Sequence, residues 1–332
     1  MNFRSKKRGS MRQIEMMRGA KKLVDTCTKV RDGETVLIVA DTTKMKIAEV
    51  LAGAAYERNA EVILSVMTPR KVHGEEPPPA IAAAMKKVNV FFIPVSKSIT
   101  HTRAVKEAVE AGARGLVLTD WTEDIMISGG IDADFDQQKP ICKKIAQLFR
   151  EGKKAHLTTP LGTDLYLDLE GRRGNALTCV VEPGEFSTVP TIEANFSPNE
   201  GTSEGMIVAD ASIPYLGIGV LTEPVRVKVQ KGMIREITGG TQAKVLKDNL
   251  EKQNDPMVFN IAELGVGLNP KARMCGIMLE DEGVFGVVHI GIGTNITLGG
   301  RIKAAVHYDL LMYNATLEVD GNRILEGGQL KI

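Results

Sequence analysis

The stretch KAAVHYDLLM, residues 303–312, sets an imidazole and a carboxylate two positions apart in an otherwise apolar run. Side chains alternate faces along a strand, so His307 and Asp309 would point the same way. Such a pair is either a structural hydrogen bond or part of a metal site. Similar interruptions lie upstream. VVHIGIGTN places His289 among small and apolar residues, VFNIAELGVGLNP does the same with Glu263, and TIEANFSPNEGTSEG carries Glu193, Glu200 and Glu204 around a proline-glycine loop. Charged groups embedded in apolar strands are costly unless something satisfies them. A divalent cation satisfies several at once, and neighbouring glycines let backbone and substrate approach. Nitrogen and oxygen donors without thiolate suit zinc, manganese, cobalt or ferrous iron. Each residue also has an ordinary reading: a hydrogen-bonded core histidine, a glutamate capping a backbone segment, solvated charges on a loop. The combination is what points to a metal.

Two kinds of architecture must position these groups. Over the first 150 residues, the apolar runs ETVLIVAD, EVILSVM, NVFFIPV and GLVLTD alternate with helical patterns such as KMKIAEVLAGAAYERNA and HTRAVKEAVEAGA. Strands separated by helices of this length predict a parallel sheet with helices on both faces. The prolines of PPPAIAAAMKKV suit a helix entrance. From about residue 155 the texture turns β-rich and glycine-broken, with one clear helix at TQAKVLKDNLEKQ. VRVKVQKGMIREITGG and ATLEVDGNRILEGGQL each predict a strand, a Lys-Gly or Asp-Gly turn and a return strand. The expected fold is therefore an α/β domain over residues 1–154 and an α+β domain with a largely antiparallel sheet over 155–332, the latter carrying the metal site.

Composition narrows the function classes. A formal charge of +1, with 43% hydrophobic and 25% charged residues, offers no global attraction to nucleic acid or acidic lipid. No apolar run reaches the roughly 18 residues a membrane span requires. The basic start reads as an amphipathic first helix, since Glu15 and the helical continuation disfavour a transit peptide. The four cysteines, Cys27, Cys142, Cys179 and Cys275, lie far apart, which predicts buried thiols in a cytoplasmic protein. ADTTKMK stands after the first strand in place of a glycine-rich dinucleotide fingerprint, so a nucleotide cofactor has no support.

With these motifs in hand, the chain resembles the aminopeptidase T family of metallopeptidases and its relative, the 2,5-dihydroxypyridine 5,6-dioxygenases. The resemblance covers most of the chain and is specific from about Glu193 onward. The aminopeptidase pattern of two glutamates, two histidines and an aspartate around two metals implies Glu193 in IEANFSPNEGTSEG, Glu263 in NIAELGVG, His289 in VVHIGIG, and His307 with Asp309 in VHYDLLM. The dioxygenase branch is similar in NDPMVFNIAELGVGLNPKA, SPNEGTSEG and GTNITLGG, but implies one ferrous ion held by two histidines and an aspartate. Its first histidine falls at Glu263, and it has apolar residues where Glu193 and His289 stand. On the aminopeptidase side, a tyrosine seven residues after the first histidine is replaced by Ile296, and EDEGVFGVVH replaces that family's Asp-Glu-Asn-Ala pattern.

The leading expectation from this resemblance is a hydrolase of an amide or peptide bond, acting on a small molecule or short peptide. Two zinc, cobalt or manganese ions would activate a bridging water, with Glu200 or Glu204 as general acid or base. The alternative is a mononuclear iron(II) oxygenase using His289, His307 and Asp309 on a hydroxylated pyridine-like substrate. There His101, in SITHTRAVKEAVEAGARG, resembles a pocket-facing histidine that would accept a proton. Both branches imply a homodimer or higher homo-oligomer.

Overall fold

The computed structural model describes the backbone of residues 3–100 and 102–332 and the side chains of 11–100 and 102–332. The chain divides into two compact units, Met1–Gln137 with Thr178–Pro190, and Gln138–Leu177 with Thr191–Ile332. This differs from a single boundary at 154/155. The helix Phe135–Glu151 belongs to the second unit from Gln138 onward, and a later segment returns to the first.

In the first unit, the strands Thr35–Asp41, Glu61–Met67, Val90–Val95 and Arg114–Thr119 form a parallel sheet. The first of them lies between the second and the third. Three of the four are buried along almost their whole length, as continuous apolar runs in a doubly covered sheet should be. Leu37, Val39, Phe91, Ile93 and Val117 share one core layer with Ile81, Met85, Val105 and Ala108 of the helices Pro79–Met85 and Arg103–Glu110. Val36, Ile38, Phe92 and Leu116 are equally buried, and the helix Met45–Tyr56 packs on the strand Thr35–Asp41. The exception is Glu61–Met67, whose Ile63, Leu64 and Val66 are exposed. It is an edge strand, so its apolar sequence overstates its burial. The fifth strand, Phe186–Thr188, pairs in parallel with Arg114–Thr119. The sequence had placed this segment in the β-rich half; its own turn signals carry no information about which sheet edge it will join. Trp121, fully buried, donates its indole N–H to the Val189 carbonyl at 2.6 Å and ties the returning segment in place.

The second unit holds an eight-stranded sheet, a five-stranded sheet and a short hairpin, Ser212–Ile213 with Gly219–Val220. All the strand pairs assigned in them are antiparallel. Both expected hairpins form: Val225–Gln230 with Met233–Thr238, and Thr316–Val319 with Asn322–Glu326. Their turn residues Lys231, Gly232, Asp320 and Gly321 all take positive φ, the conformation that matches strand twist. The α/β plus antiparallel-sheet architecture expected from the sequence is thus present. Cys27, Cys142 and Cys179 are buried as expected, whereas Cys275 is exposed. Among the described residues, no helix is long and apolar enough to cross a membrane.

Candidate metal centre

The five-stranded sheet runs, in order, His307–Met312, Val288–Gly293, Ile261–Gly267, Glu193–Phe196 and Asn175–Leu177. Its apolar face carries Ala194, Phe196, Leu264, Val266, Val288, Ile290 and Leu310, all buried. Alternation then places Glu193, Glu263, His289, His307 and Asp309 together on the opposite face. Register explains the glycines between them. Glu193 pairs with Gly267, His289 with Gly265, Asp309 with Gly291 and His307 with Gly293. A Cβ at Gly265 would lie 2.2 Å from the His289 ring, and one at Gly291 would lie 2.7 Å from the Glu263 Cβ and 2.9 Å from the His307 ring. By lacking side chains, these two glycines make room for the His289 and His307 rings. A bulge between Ile261 and Glu263 shifts the register so that Glu263, too, lies opposite Gly291.

The five side chains form two groups of three sharing Glu263: Glu193, Glu263 and His289, and Glu263, His307 and Asp309. Within each group the ligand-type atoms lie within 4.8 Å of one another. His289 Nε2 is 3.8 Å from Glu193 Oε2 and 3.9 Å from Glu263 Oε1. His307 Nε2 is 3.0 Å from Glu263 Oε2 and 3.4 Å from Asp309 Oδ1. His307 Nδ1 donates to the Thr294 carbonyl at 2.7 Å, which fixes the ring and directs Nε2 inward. Glu193 Oε2, His289 Nδ1 and Asp309 Oδ1 are buried without hydrogen-bond partners. Orphaned buried polar atoms are rare in folded proteins. Here two of the three are carboxylate oxygens among nitrogen and oxygen donors, a set that fits a divalent metal. The trio His289, His307 and Asp309 expected for a mononuclear iron site is not one of the two groups; His307 and Asp309 are joined by Glu263 instead.

Burial and mutual charge set the electrostatics. Burial works against a charged His289, yet the Glu193 carboxylate, followed by Glu263 and Asp309, outweighs it and pushes the imidazole up to about 9. Burial pushes Glu193 up to about 7, with the charge of His289 opposing. Burial also opposes ionisation of Glu263 and Asp309, but the histidines hold both carboxyls below their ordinary range. A metal must displace these protons, so its affinity must rise with pH. Against its burial, Asp309 and Glu263 push the His307 imidazole well up too, so cobalt(II) binding is expected to tighten by roughly tenfold per pH unit from about pH 7 to 9 without levelling off there, as read by titration at fixed ionic strength. In the metal-free protein the sign is opposite. The stabilisation from His289 is complete below its unfolded value near 6.5 and is lost as pH rises through about 9.

Two further groups belong to this centre that sequence reasoning missed. The Tyr215 hydroxyl lies 2.6 Å from Asp309 Oδ2 and 3.2 Å from Glu282 Oε1. Burial, then the charge of Asp309, pushes the Glu282 carboxyl well up. In sequence, Glu282 sits in the surface-like run EDEG and Tyr215 in a turn, SIPYLG. Neither pattern signals a site. Behind Glu193, Asn195 donates to its Oε1 at 2.6 Å, and Asn175 donates to Asn195 at 2.8 Å.

The residues expected as general acid or base are elsewhere. Glu200 accepts from Arg172, from the Arg301 N–H at 2.8 Å and from Asn295 at 3.0 Å, which makes it the clasp of a loop network. Glu204 is exposed and accepts the Lys231 N–H of a hairpin turn at 2.8 Å. Closeness in sequence to Glu193 misled, because the chain leaves the site sheet after Phe196. His101 lies outside the described residues. Ile296, where the aminopeptidases have tyrosine, is exposed.

Comparison with known proteins bears on the two chemistries. The family model described as NicX, 2,5-dihydroxypyridine 5,6-dioxygenase, matches residues 15–332. A 2,5-dihydroxypyridine 5,6-dioxygenase from Pseudomonas putida KT2440 is 24% identical over 247 residues, covering 70% of this chain and 68% of that protein. The solved structure of 2,5-dihydroxypyridine dioxygenase from the same organism superposes with a TM-score of 0.82 at 18% identity, over 96% of this chain and 97% of that one. Wild-type AmpT from Thermus thermophilus superposes with a TM-score of 0.71 at 17% identity, over 96% and 100% of the two chains. That last likeness is one of fold. The expected amide hydrolase is therefore corrected: the family model and the relative favour the oxygenase alternative. The error has a physical source, since carboxylate and imidazole ligands serve water activation and oxygen activation alike. The chain belongs to the 2,5-dihydroxypyridine 5,6-dioxygenase family.

Proposed function

We propose that this chain is a metal-dependent dioxygenase that opens a hydroxylated pyridine-like ring, with one ferrous ion held by Glu263 Oε2, His307 Nε2 and Asp309 Oδ1. The convergence of these three side chains on one sheet face, in a chain of this family, carries the reading. The substrate class follows the relative's name, a 2,5-dihydroxypyridine cleaved across its 5,6 bond. In that reaction both atoms of O2 enter the product and the bond between the two ring carbons breaks. A ferrous ion supplies the one-electron chemistry that lets O2 react with an aromatic ring.

The chain's own residues do the rest. The Thr294 carbonyl orients His307. Gly265 and Gly291 let the His289 and His307 rings lie across the sheet face, where they meet Glu263. Glu193 Oε2, buried without a hydrogen-bond partner in the group that shares Glu263 with the trio, would receive a proton from a ring hydroxyl. The test is protein purified without oxygen, loaded with iron(II) and mixed with 2,5-dihydroxypyridine. The expected result is one iron per chain and one O2 consumed per ring lost. Iron-loaded protein that consumes no O2 with this ring or other hydroxypyridines would reject the proposal.

A further inference from the structure

From outside the site sheet, the Tyr215 hydroxyl makes a 2.6 Å hydrogen bond to Asp309, one of the three ligand-type carboxylates. A phenol has one proton, and at 2.6 Å from Asp309 Oδ2 against 3.2 Å from Glu282 Oε1 it goes to Asp309. The other oxygen, Oδ1, has no hydrogen bond and lies 3.4 Å from His307 Nε2, facing the trio. The aspartate is thus divided, one oxygen tied down and one free.

The tie comes from an anchored turn. Tyr215 lies between Ser212–Ile213 and Gly219–Val220. Ser212 Oγ donates to Asp281 at 2.6 Å, and Gln242 donates to the Ile218 and Val220 carbonyls. The Tyr215 ring rests against Tyr308 with centroids 5.0 Å apart. Tyr308 donates its own hydroxyl to Asn249 at 3.1 Å, so it supports the ring without touching the carboxylate.

We propose that Tyr215 is the positioning residue of the metal centre: its hydroxyl holds Asp309 Oδ2 so that Oδ1 alone addresses the ion, and the 212–220 hairpin thereby governs metal retention. The inference rests on the metal-centre reading above. Without the phenol, Asp309 keeps only Glu282 on that side and loses the hydroxyl that holds Oδ2 away from the trio, so both oxygens would be available to the ion.

Cobalt(II) titration of the metal-free full chain tests this, followed by the visible spectrum. Tyr215→Phe is expected to bind cobalt about 10–100-fold more weakly. Its cobalt bands should weaken as coordination rises, while the metal-free melting temperature stays within about 2 °C of the parent. Tyr308→Phe should leave affinity and spectrum unchanged. An affinity within about threefold of the parent, with the same spectrum, overturns the proposal. Should Tyr215→Phe fail to fold, Ser212→Ala loosens the hairpin and leaves the phenol intact. Weaker cobalt binding then supports the proposal, and unchanged binding overturns it. A parent chain that takes up no cobalt rejects the metal centre itself. A parent that binds, with a Tyr215→Phe variant that binds equally, rejects only the role of Tyr215.

Discussion

Glu263→Ala is expected to abolish metal retention and lower turnover by about three orders of magnitude, roughly 4 kcal/mol of lost interaction. Glu263 is the only side chain common to both groups, with Oε1 toward His289 and Oε2 toward His307. It is buried, and the histidines on either side hold it ionised. Its removal takes a ligand from the trio and leaves His307 and His289 each with one carboxylate neighbour fewer. Metal content after dialysis, measured beside activity, reads the effect directly. Glu193→Ala is the informative partner. Glu193 belongs to one group only, so the trio of Glu263, His307 and Asp309 survives its loss. One iron per chain should persist in Glu193→Ala, with turnover reduced through the missing proton acceptor. If iron is lost as fully as in Glu263→Ala, a single ion on the His307 side is the wrong description.

Gly265→Ala should be nearly as damaging, for a steric reason. The added Cβ would stand 2.2 Å from both Cε1 and Nε2 of His289, a distance no packed interior tolerates. Backbone strain is not involved, because Gly265 lies within the regular strand Ile261–Gly267 and its φ is not positive. The His289 ring is almost wholly buried and has little room to retreat. The cost should be about 1–3 kcal/mol, from overpacking. It should appear as a fall of a few degrees in the metal-free melting temperature, together with displacement of Nε2 from Glu193 and Glu263. The double variant Gly265→Ala with His289→Ala removes the clash. Strong non-additivity is therefore expected, with the double variant melting above Gly265→Ala alone. Simple additivity would mean that Gly265 matters for some reason other than the space beside His289.

Much of the fold was legible because its signals are local. Period-two alternation in HYDLLM and VHIGIG is a property of a few consecutive residues, and it puts His307 with Asp309, and His289 with Gly291, on common faces whatever the strands pair with. Lys231-Gly232 and Asp320-Gly321 turn the chain on their own backbone preferences. The apolar runs at residues 35–41, 90–95 and 114–119 state their burial outright. The edge strand Glu61–Met67 looks the same in sequence, because composition reports what a strand can bury and not whether a neighbour arrives to cover it.

By itself the sequence therefore determined the two architectures, the polar face of each site strand and the ligand chemistry available there. Tertiary structure alone decided which of the glutamates meet. Glu263 became the shared residue through a bulge and through pairing with strands on both sides. Glu200 and Glu204, close to Glu193 along the chain, were carried off into a loop clasp and a hairpin cap. Tyr215 and Glu282, silent in sequence, arrived beside Asp309 from 94 and 27 residues away along the chain. The physical reason is the same throughout. A strand's faces are set by neighbours two residues apart, whereas a metal centre is set by register and burial between segments far apart in sequence, which no local pattern encodes.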